Sequence, residues 1–210
     1  MIVTIEKDFA EILKVTKEED NLFIFGCAGC ATLCQTGGEK QVKELGAKLE
    51  SEGKEIIGYS VLDVPCDERI VQKEFRNNSS IRNADSILIM ACGAGIQSVQ
   101  KFSPIPIHPV LDSLFLGTIE RIGKFYNYCS ICGNCVLEDT QNLCPITRCA
   151  KGLLNGPCGG MNEGKCEVNS ELDCVWVLIY EAMEKKGNVN NLKLFREPRN
   201  WVQSFVFKSE

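Results

Sequence analysis

A single histidine, His108, is all the imidazole in this 210-residue chain. That scarcity removes most hydrolytic chemistry: a Ser–His–Asp triad has one candidate base, and no G-x-S-x-G turn accompanies it. His108 itself lies in Pro106-Ile107-His108-Pro109, which reads as a bend, so a structural role is expected for it. A phosphate-cradling Walker loop is also missing. Gly93-x-Gly95 follows an apolar run, but Ser98 stands where a dinucleotide fingerprint needs its third glycine, so the pair is expected to form a turn beside a metal site. Lys and Arg are scattered rather than blocked, and the net charge is -5 with a pI near 5.2. That balance argues against nucleic acid as a partner, since phosphate binding needs a basic face. The longest apolar runs, near residues 86–94 and 173–180, are too short for a membrane span. Residues 1–10 carry Glu6, Lys7 and Asp8 and no apolar stretch, so no signal peptide is expected and a cytoplasmic location is.

What the chain has in excess is cysteine, 13 of them. Disulfides are rare in a reducing cytosol, and an odd count cannot be fully paired. Clustered cysteines in that setting read as metal ligands or redox thiols.

Apolar patterning divides the chain at about residue 122. In residues 1–122, strand-like segments at 21–25, 55–64 and 85–91 alternate with helical ones at 39–52, 67–76 and 93–102. In the 39–52 segment, Val42, Leu45 and Leu49 recur at helical spacing and Gly53 supplies a stop. Residues 105–110, broken by three prolines, read as an edge strand or extended segment, and 111–122 as a strand or hairpin. This βαβαβ order predicts an α/β fold, a Rossmann-like parallel sheet with helices on both faces. From residue 123 to 210 the character changes. Cysteine, glycine, proline and asparagine dominate up to Cys166, too little apolar material for a core of its own, which predicts a cysteine-rich metal-binding module. A helix is expected over 174–185, followed by a tail whose Trp201, Phe205 and Phe207 suggest docking on a partner.

Three cysteine groups carry the chemistry. Each predicted strand of the first half ends near a cysteine: Cys27, Cys66 and Cys92. Ligands of open α/β sheets sit beyond the carboxyl ends of the strands, so these thiols are expected to face one site. Cys27-x2-Cys30-x3-Cys34 places Cys30 and Cys34 on one helix face. With Cys92 as fourth ligand and Cys66 in reserve, they would make a four-thiolate cage for an iron–sulfur cluster. The second group, Cys129-x2-Cys132-x2-Cys135, is the core of a ferredoxin-type pattern. Its closing Cys144-Pro145 lies nine residues on, so the fourth ligand is Cys144 or Cys149. The third group is Cys149, Cys158, Cys166 and Cys174. These four would complete the second cluster, hold another, or bind a structural Zn2+, and buried structural thiols are the bland alternative for some of them.

The stretches Cys144-Pro145-Ile146-Thr147-Arg148-Cys149, Asn155-Gly156-Pro157-Cys158-Gly159-Gly160 and Gly164-Lys165-Cys166-Glu167 resemble the methylene-tetrahydrofolate reductase C-terminal domain family. The first half, with Gly26-Cys27-Ala28-Gly29-Cys30 and Met90-Ala91-Cys92-Gly93, looks like the separate cysteine-rich small subunit of the acetogen-type enzyme. The resemblance implies a heteromeric oxidoreductase of one-carbon metabolism and the acetyl-CoA pathway. Its partner would be a flavin-containing catalytic subunit that reduces 5,10-methylene-tetrahydrofolate to 5-methyl-tetrahydrofolate. This chain would relay electrons to that flavin through two or more 4Fe-4S clusters, supplied by a further donor subunit or a ferredoxin. The family is also described as zinc-containing, which admits one Zn2+.

No residue of this chain is expected to be catalytic at the folate carbon, because a TIM barrel needs about eight βα units and ~250 residues. Two alternatives stand beside the electron carrier. One is a zinc-binding scaffold of the same complex that moves no electrons. The other is a thiol redox enzyme using Cys27 and Cys30, against which the immediate third cysteine, Cys34, argues.

Overall fold

The computed structural model describes residues 1–202, so Phe205 and Phe207 lie outside the described residues. The elements run β1 (Ile2–Glu6), α1 (Phe9–Val15), β2 (Asn21–Cys27), α2 (Cys30–Leu33), α3 (Glu39–Ser51), β3 (Glu55–Leu62), α4 (Glu68–Asn77), β4 (Ser86–Met90), α5 (Gly93–Gln100), β5 (Ile107–Pro109), β6 (Leu111–Arg121), β7 (Lys124–Asn127), α6 (Pro145–Arg148) and α7 (Val175–Lys185), with three short 3-10 turns. Two compact units result. The first is Met1–Phe115 with Ile119–Phe125, and the second takes Leu116–Thr118 and the chain from Tyr126 onward.

In the first unit β2 pairs in parallel with both β3 and β4, and β4 with β5, giving the order β3-β2-β4-β5. The chain moves outward from β2 to β3, then crosses back over β2 to β4. Right-handed crossovers therefore put α3 on one face and α4 and α5 on the other. In agreement, α3 packs on β2 and β3 while α4 packs against α5. The α/β expectation with helices on both faces thus describes this sheet. Because both faces are covered, the inner strands are apolar throughout: Leu22, Phe23, Ile24 and Phe25 of β2 and Ile87, Leu88 and Ile89 of β4 are all buried. Each such side chain contributes roughly 1.5–3 kcal/mol by leaving water. α3 forms where the sequence spacing predicts, burying Val42, Leu45 and Leu49. α4 begins at Asp67, whose carboxylate accepts the Arg69 backbone N–H at 3.0 Å.

Several features depart from the sequence reading. A second sheet, β1-β6-β7, exists beside the parallel one, and neither β1 nor α1 is signalled by long periodicity. Of the strand and hairpin read for 111–122, the structure has the hairpin, extended to residue 127 and turning at Ile122-Gly123. Gly93 and Gly95 do not form the expected turn but belong to the helix read over 93–102. They open α5, where a Cβ on Gly95 would stand 3.0 Å from the Ala91 Cβ and 3.2 Å from the Pro65 Cγ, so glycine there serves helix packing. His108 meets the expected structural role: its Nε2 lies 2.9 Å from the Glu19 carboxylate, whose other oxygen accepts the Ser86 hydroxyl at 2.5 Å.

The second unit holds α6 and α7 in otherwise irregular chain. Its core is small, formed by Val175, Trp176, Ile179 and Met183 on one stripe of α7. Cys149 and Cys174 pack against that stripe, and the Trp176 indole N–H donates to the Leu153 carbonyl at 3.2 Å. Among the described residues no helix is long and apolar enough to cross a membrane.

Candidate functional site

Strand order reverses between β2 and β4, and the carboxyl ends of those two strands are where an open α/β sheet offers a crevice. Cys27 is the last residue of β2, and Cys92 caps α5 two residues after β4. Both are buried. The turn after β2 is tightly fixed. Cys27 N–H donates to the Gly37 carbonyl at 2.8 Å, Ala28 N–H to the Leu62 carbonyl at 2.8 Å, and the Thr32 hydroxyl to the Cys27 carbonyl at 2.7 Å. Gly37 lies so close to β4 that a Cβ would stand 2.2 Å from the Met90 carbonyl oxygen.

Burial pushes the Cys27 thiol up, and the neighbouring Cys30 and Cys92 sulfurs push it the same way. Backbone N–H groups of Ala31 and Gly29 act in the opposite direction, as donors that favour a sulfur anion. Cys30 and Cys92 each lie within electrostatic reach of Cys27. Cys30 begins α2 and Cys34 ends it, one turn apart, with the Cys34 N–H on the Cys30 carbonyl at 3.0 Å. Both sulfurs meet one backbone position of β1. Ile2 N–H donates to Cys30 Sγ at 3.4 Å, and Cys34 Sγ donates to the Ile2 carbonyl at 3.6 Å. Cys66 stands apart from this group. It is exposed and lies four residues beyond the end of β3, not at the strand end itself.

In the second unit the eight cysteines fall into two groups of four, in chain order. Cys129, Cys132, Cys135 and Cys144 rim one open cavity of about 400 Å³. The Cys129–Cys135 loop reverses twice through the left-handed region, at Ile131 (φ 52°) and Gly133 (φ 75°). A β-branched residue there costs of order 1–3 kcal/mol and persists only where its surroundings hold it. Ile131 N–H donates to Cys129 Sγ at 3.4 Å. The Ser130 hydroxyl of this loop lies 2.8 Å from that of Thr147, and the Arg148 guanidinium sits 5.3 Å over the Tyr128 ring. Cys149, Cys158, Cys166 and Cys174 rim a second, much tighter cavity, flanked by Arg148, Lys151 and the core residue Trp176. α6 separates the two groups: Cys144 caps its start, Pro145 takes the first helical position, and Cys149 caps its end. Of the two candidates for a fourth member of the Cys129–Cys135 group, Cys144 lines that cavity and Cys149 lines the other.

Sequence reasoning missed two partners of these thiols. The Ile2 backbone is one, since nothing in the sequence marks the first strand as a sulfur neighbour. Arg199 is the other: its Nη2 donates to Cys132 Sγ at 2.7 Å and also to the Asn134 carbonyl. Trp201, read as a docking residue, stands beside Arg199, whose guanidinium lies 5.8 Å from the ring centre. Among the described residues, no three His, Cys, Asp or Glu side chains are gathered closely enough to clasp a single ion.

Comparison with known proteins returned no matching curated protein and no matching solved structure. A family profile does match, described as methylene-tetrahydrofolate reductase C terminal, over residues 108–202. That span contains both four-cysteine groups of the second unit, and over it the C-terminal part of this chain is similar to the methylene-tetrahydrofolate reductase C-terminal family.

Proposed function

We propose that this chain is the iron–sulfur electron-transfer subunit of a methylene-tetrahydrofolate reductase, delivering electrons to a separate flavin subunit that reduces 5,10-methylene-tetrahydrofolate to 5-methyl-tetrahydrofolate. The observation that carries the reading is the ring of Cys129, Cys132, Cys135 and Cys144 around one open cavity inside the span matched to that family. A thiolate-bound iron–sulfur cluster supplies reversible one-electron transfer and needs four cysteines, several from a tight loop and one from a distance. This group has that form, and its cavity has room for more than one metal atom.

The first unit offers a second set of suitable donors in Cys27, Cys30, Cys34 and Cys92. Buried Cys27 and Cys92 keep water from the sulfur atoms, and N–H groups of Gly29 and Ala31 favour the anionic form that a cluster requires. Cys34 would exchange its bond to the Ile2 carbonyl for a metal bond. Exposed Cys66 is the weaker donor.

The test is anaerobic purification followed by iron, acid-labile sulfide and zinc analysis, with visible spectra before and after dithionite. Iron and sulfide in equal amounts, with a broad band that bleaches, supports the carrier. A colourless, folded protein with zinc and neither iron nor sulfide sinks it and leaves the scaffold reading. The tight cavity around Cys149 and Cys174 is the feature that favours that second reading for one site.

A further inference from the structure

We propose that the free edge of β3, with the flank of α3 beside it, is a two-fold interface between two copies of this chain that joins their parallel sheets into one. β3 is the outer strand of the order β3-β2-β4-β5 and pairs with β2 alone among the described strands. The Leu62 carbonyl accepts the Ala28 N–H of the β2 side, and alternate residues of a strand turn their backbone groups the same way. Gly58, Ser60 and Leu62 therefore face β2, while Tyr59 and Val61 face outward. Among the described residues no hydrogen bond reaches those outward N–H and C=O groups. An exposed strand edge is normally blunted by lysine, proline or an inward charge. Past Glu55, the run Ile56-Ile57-Gly58-Tyr59-Ser60-Val61-Leu62 holds none of these. The register shift opposite Leu22 and Phe23 lies at the start of the strand and leaves 58–62 regular.

The occupant is a second copy because the edge is complementary to itself. Pairing two copies antiparallel about Ser60 sets Tyr59 of each opposite Val61 of the other, and each such pair exchanges both backbone bonds. Their side chains then make aromatic–β-branched cross-strand pairs, which stabilise antiparallel ladders. Tyr59 is 44% exposed in the single chain, so the pairing also takes its ring out of water. The helical layer fits as well. α3 packs over β2 and β3, and strands about 4.8 Å apart bring the two α3 axes to roughly 10 Å, the spacing of packed helices. Lys43, Ala47 and Glu50 of α3 border a groove of about 250 Å³ with Ile56, Gly58 and Tyr59 of β3, and small Ala47 leaves room for the other helix. Lys43 stands 5.8 Å from the centre of the Tyr59 ring and donates to Glu39 at 2.6 Å. Turned antiparallel, the Glu39–Lys43 pair of one copy meets the Lys43–Glu39 pair of the other, positive against negative. Eight residues at about 3.3 Å and two layers at about 10 Å give roughly 500 Å² per copy, or ~1,000 Å² in total, the lower bound for a specific association. The dimer is therefore expected to be reversible. Antiparallel joining points the carboxyl ends of the two sheets, and the Cys27–Cys92 crevices with them, in opposite directions, so both crevices stay open. The interface does not rest on what those cysteines bind.

The experiment is sedimentation equilibrium on the full, anaerobically isolated chain, from low to high micromolar concentration. The mass should climb from 23.3 kDa toward twice that value. A mass that stays at 23.3 kDa throughout overturns the proposal. Tyr59→Lys sets a second positive charge beside Lys43 on the edge and should raise the dissociation constant about tenfold or more, with the urea midpoint of the monomer unchanged. A dimer that survives this substitution in folded protein is held by another surface, and that also overturns the proposal. If the variant does not fold, Ser60→Cys carries the test. Residues facing each other at a non-hydrogen-bonded position have Cα atoms about 4.5 Å apart, within disulfide reach. Mild oxidation should then link residue 60 of one copy to residue 60 of the other, as mapped by peptide mass spectrometry, and a dimer without that link rules out the two-fold. Loss of a flavin subunit in Tyr59→Lys, from a chain that is monomeric alone, would assign the edge to that subunit instead. Dimers of a colourless zinc protein would sustain the interface while removing the electron carrier, so the two readings fail separately.

Discussion

The Arg199 guanidinium donates to the sulfur of Cys132 at 2.7 Å, 67 residues away in the chain. The same nitrogen reaches the Asn134 carbonyl, and Arg196 N–H donates to the Asn155 side-chain oxygen at 2.7 Å, so the segment 196–200 is tied to the Cys129–Cys135 loop at one end and to Asn155 at the other. A cation against a thiolate stabilises the more negative, reduced state of whatever that thiolate binds. Arg199→Gln is therefore expected to lower the midpoint potential of the Cys129–Cys144 centre. A bond to a charged group is worth about 1.5–3 kcal/mol. A difference of about 1.4 kcal/mol between the two oxidation states, just under that range, is a tenfold change in the oxidised-to-reduced ratio, or ~59 mV for one electron. Arg199→Lys should recover part of the shift. Redox titration followed by EPR measures both, and a potential unmoved in Arg199→Gln would remove the tuning role.

Gly37 and Met90 define a second expectation. The backbone of residue 37 lies where a Cβ would be 2.2 Å from the Met90 carbonyl and 2.8 Å from the Ala31 Cβ, and neither neighbour is a flexible side-chain tip. Gly37→Ala should cost about 1–3 kcal/mol or more, because overpacking at a rigid backbone contact has to be relieved by shifting β4 or α2. That shift would also part Cys27 from Cys92. Urea unfolding should show the lowered midpoint, and metal analysis should show loss at the first unit only. A variant as stable as the parent, with full metal content, would contradict the close approach.

Acid dependence enters through Asp67, which caps α4 one residue after Cys66. The Arg69 side chain and backbone N–H hold its carboxyl down at about 2, against an ordinary value near 3.8. A depressed folded-state value means the contribution is present above about pH 4 and is lost as pH falls from there toward 2. Asp67→Asn keeps a capping oxygen but no charge. It should therefore be less stable than the parent at pH 6, with the difference closing between pH 4 and 2. Because the pair is exposed to solvent, the gap should be small and should shrink in high salt. A gap that widens on acidification would refute the assignment.

The parallel sheet was legible because its signals are local. Apolar runs at 21–25 and 85–91, the Val42–Leu45–Leu49 spacing and the Asp67 cap each name their own element, and together they force a βαβαβ order. Cys27 and Cys92 followed, since strand ends at a topological switch point are adjacent whatever the details. β1 escaped because five residues with three exposed or half-exposed positions carry little pattern, and its partner β6 lies more than a hundred residues on. The grouping of Cys144 and Cys149 escaped for a different reason. Both fit a fourth-ligand role by spacing, and only a single helical turn between them, about 1.5 Å per residue, decides which cavity each sulfur faces. Arg199 had no signal at all, as one arginine in a polar tail is indistinguishable from its neighbours until the tail is folded back.

The two units should part company when metal is stripped. In the first, more than twenty buried apolar residues surround β2 and β4, whereas the second gathers four on α7. A unit with so small a core depends on its metal for order, and one with a full core does not. Hydrogen exchange on protein treated with acid and chelator, then returned to neutral pH, should show α6, α7 and the 162–174 ribbon exchanging at nearly unprotected rates. Amides of β2, such as Phe23 and Phe25, should keep most of their protection, with losses confined to the turn around Cys27–Cys34. Restoring iron and sulfide, or zinc, should recover the α7 protection according to which metal the second unit uses. Equal loss of protection in both units would mean that the sheet also leans on its cluster, and unchanged protection of α7 would mean that its cysteines are packing residues rather than ligands.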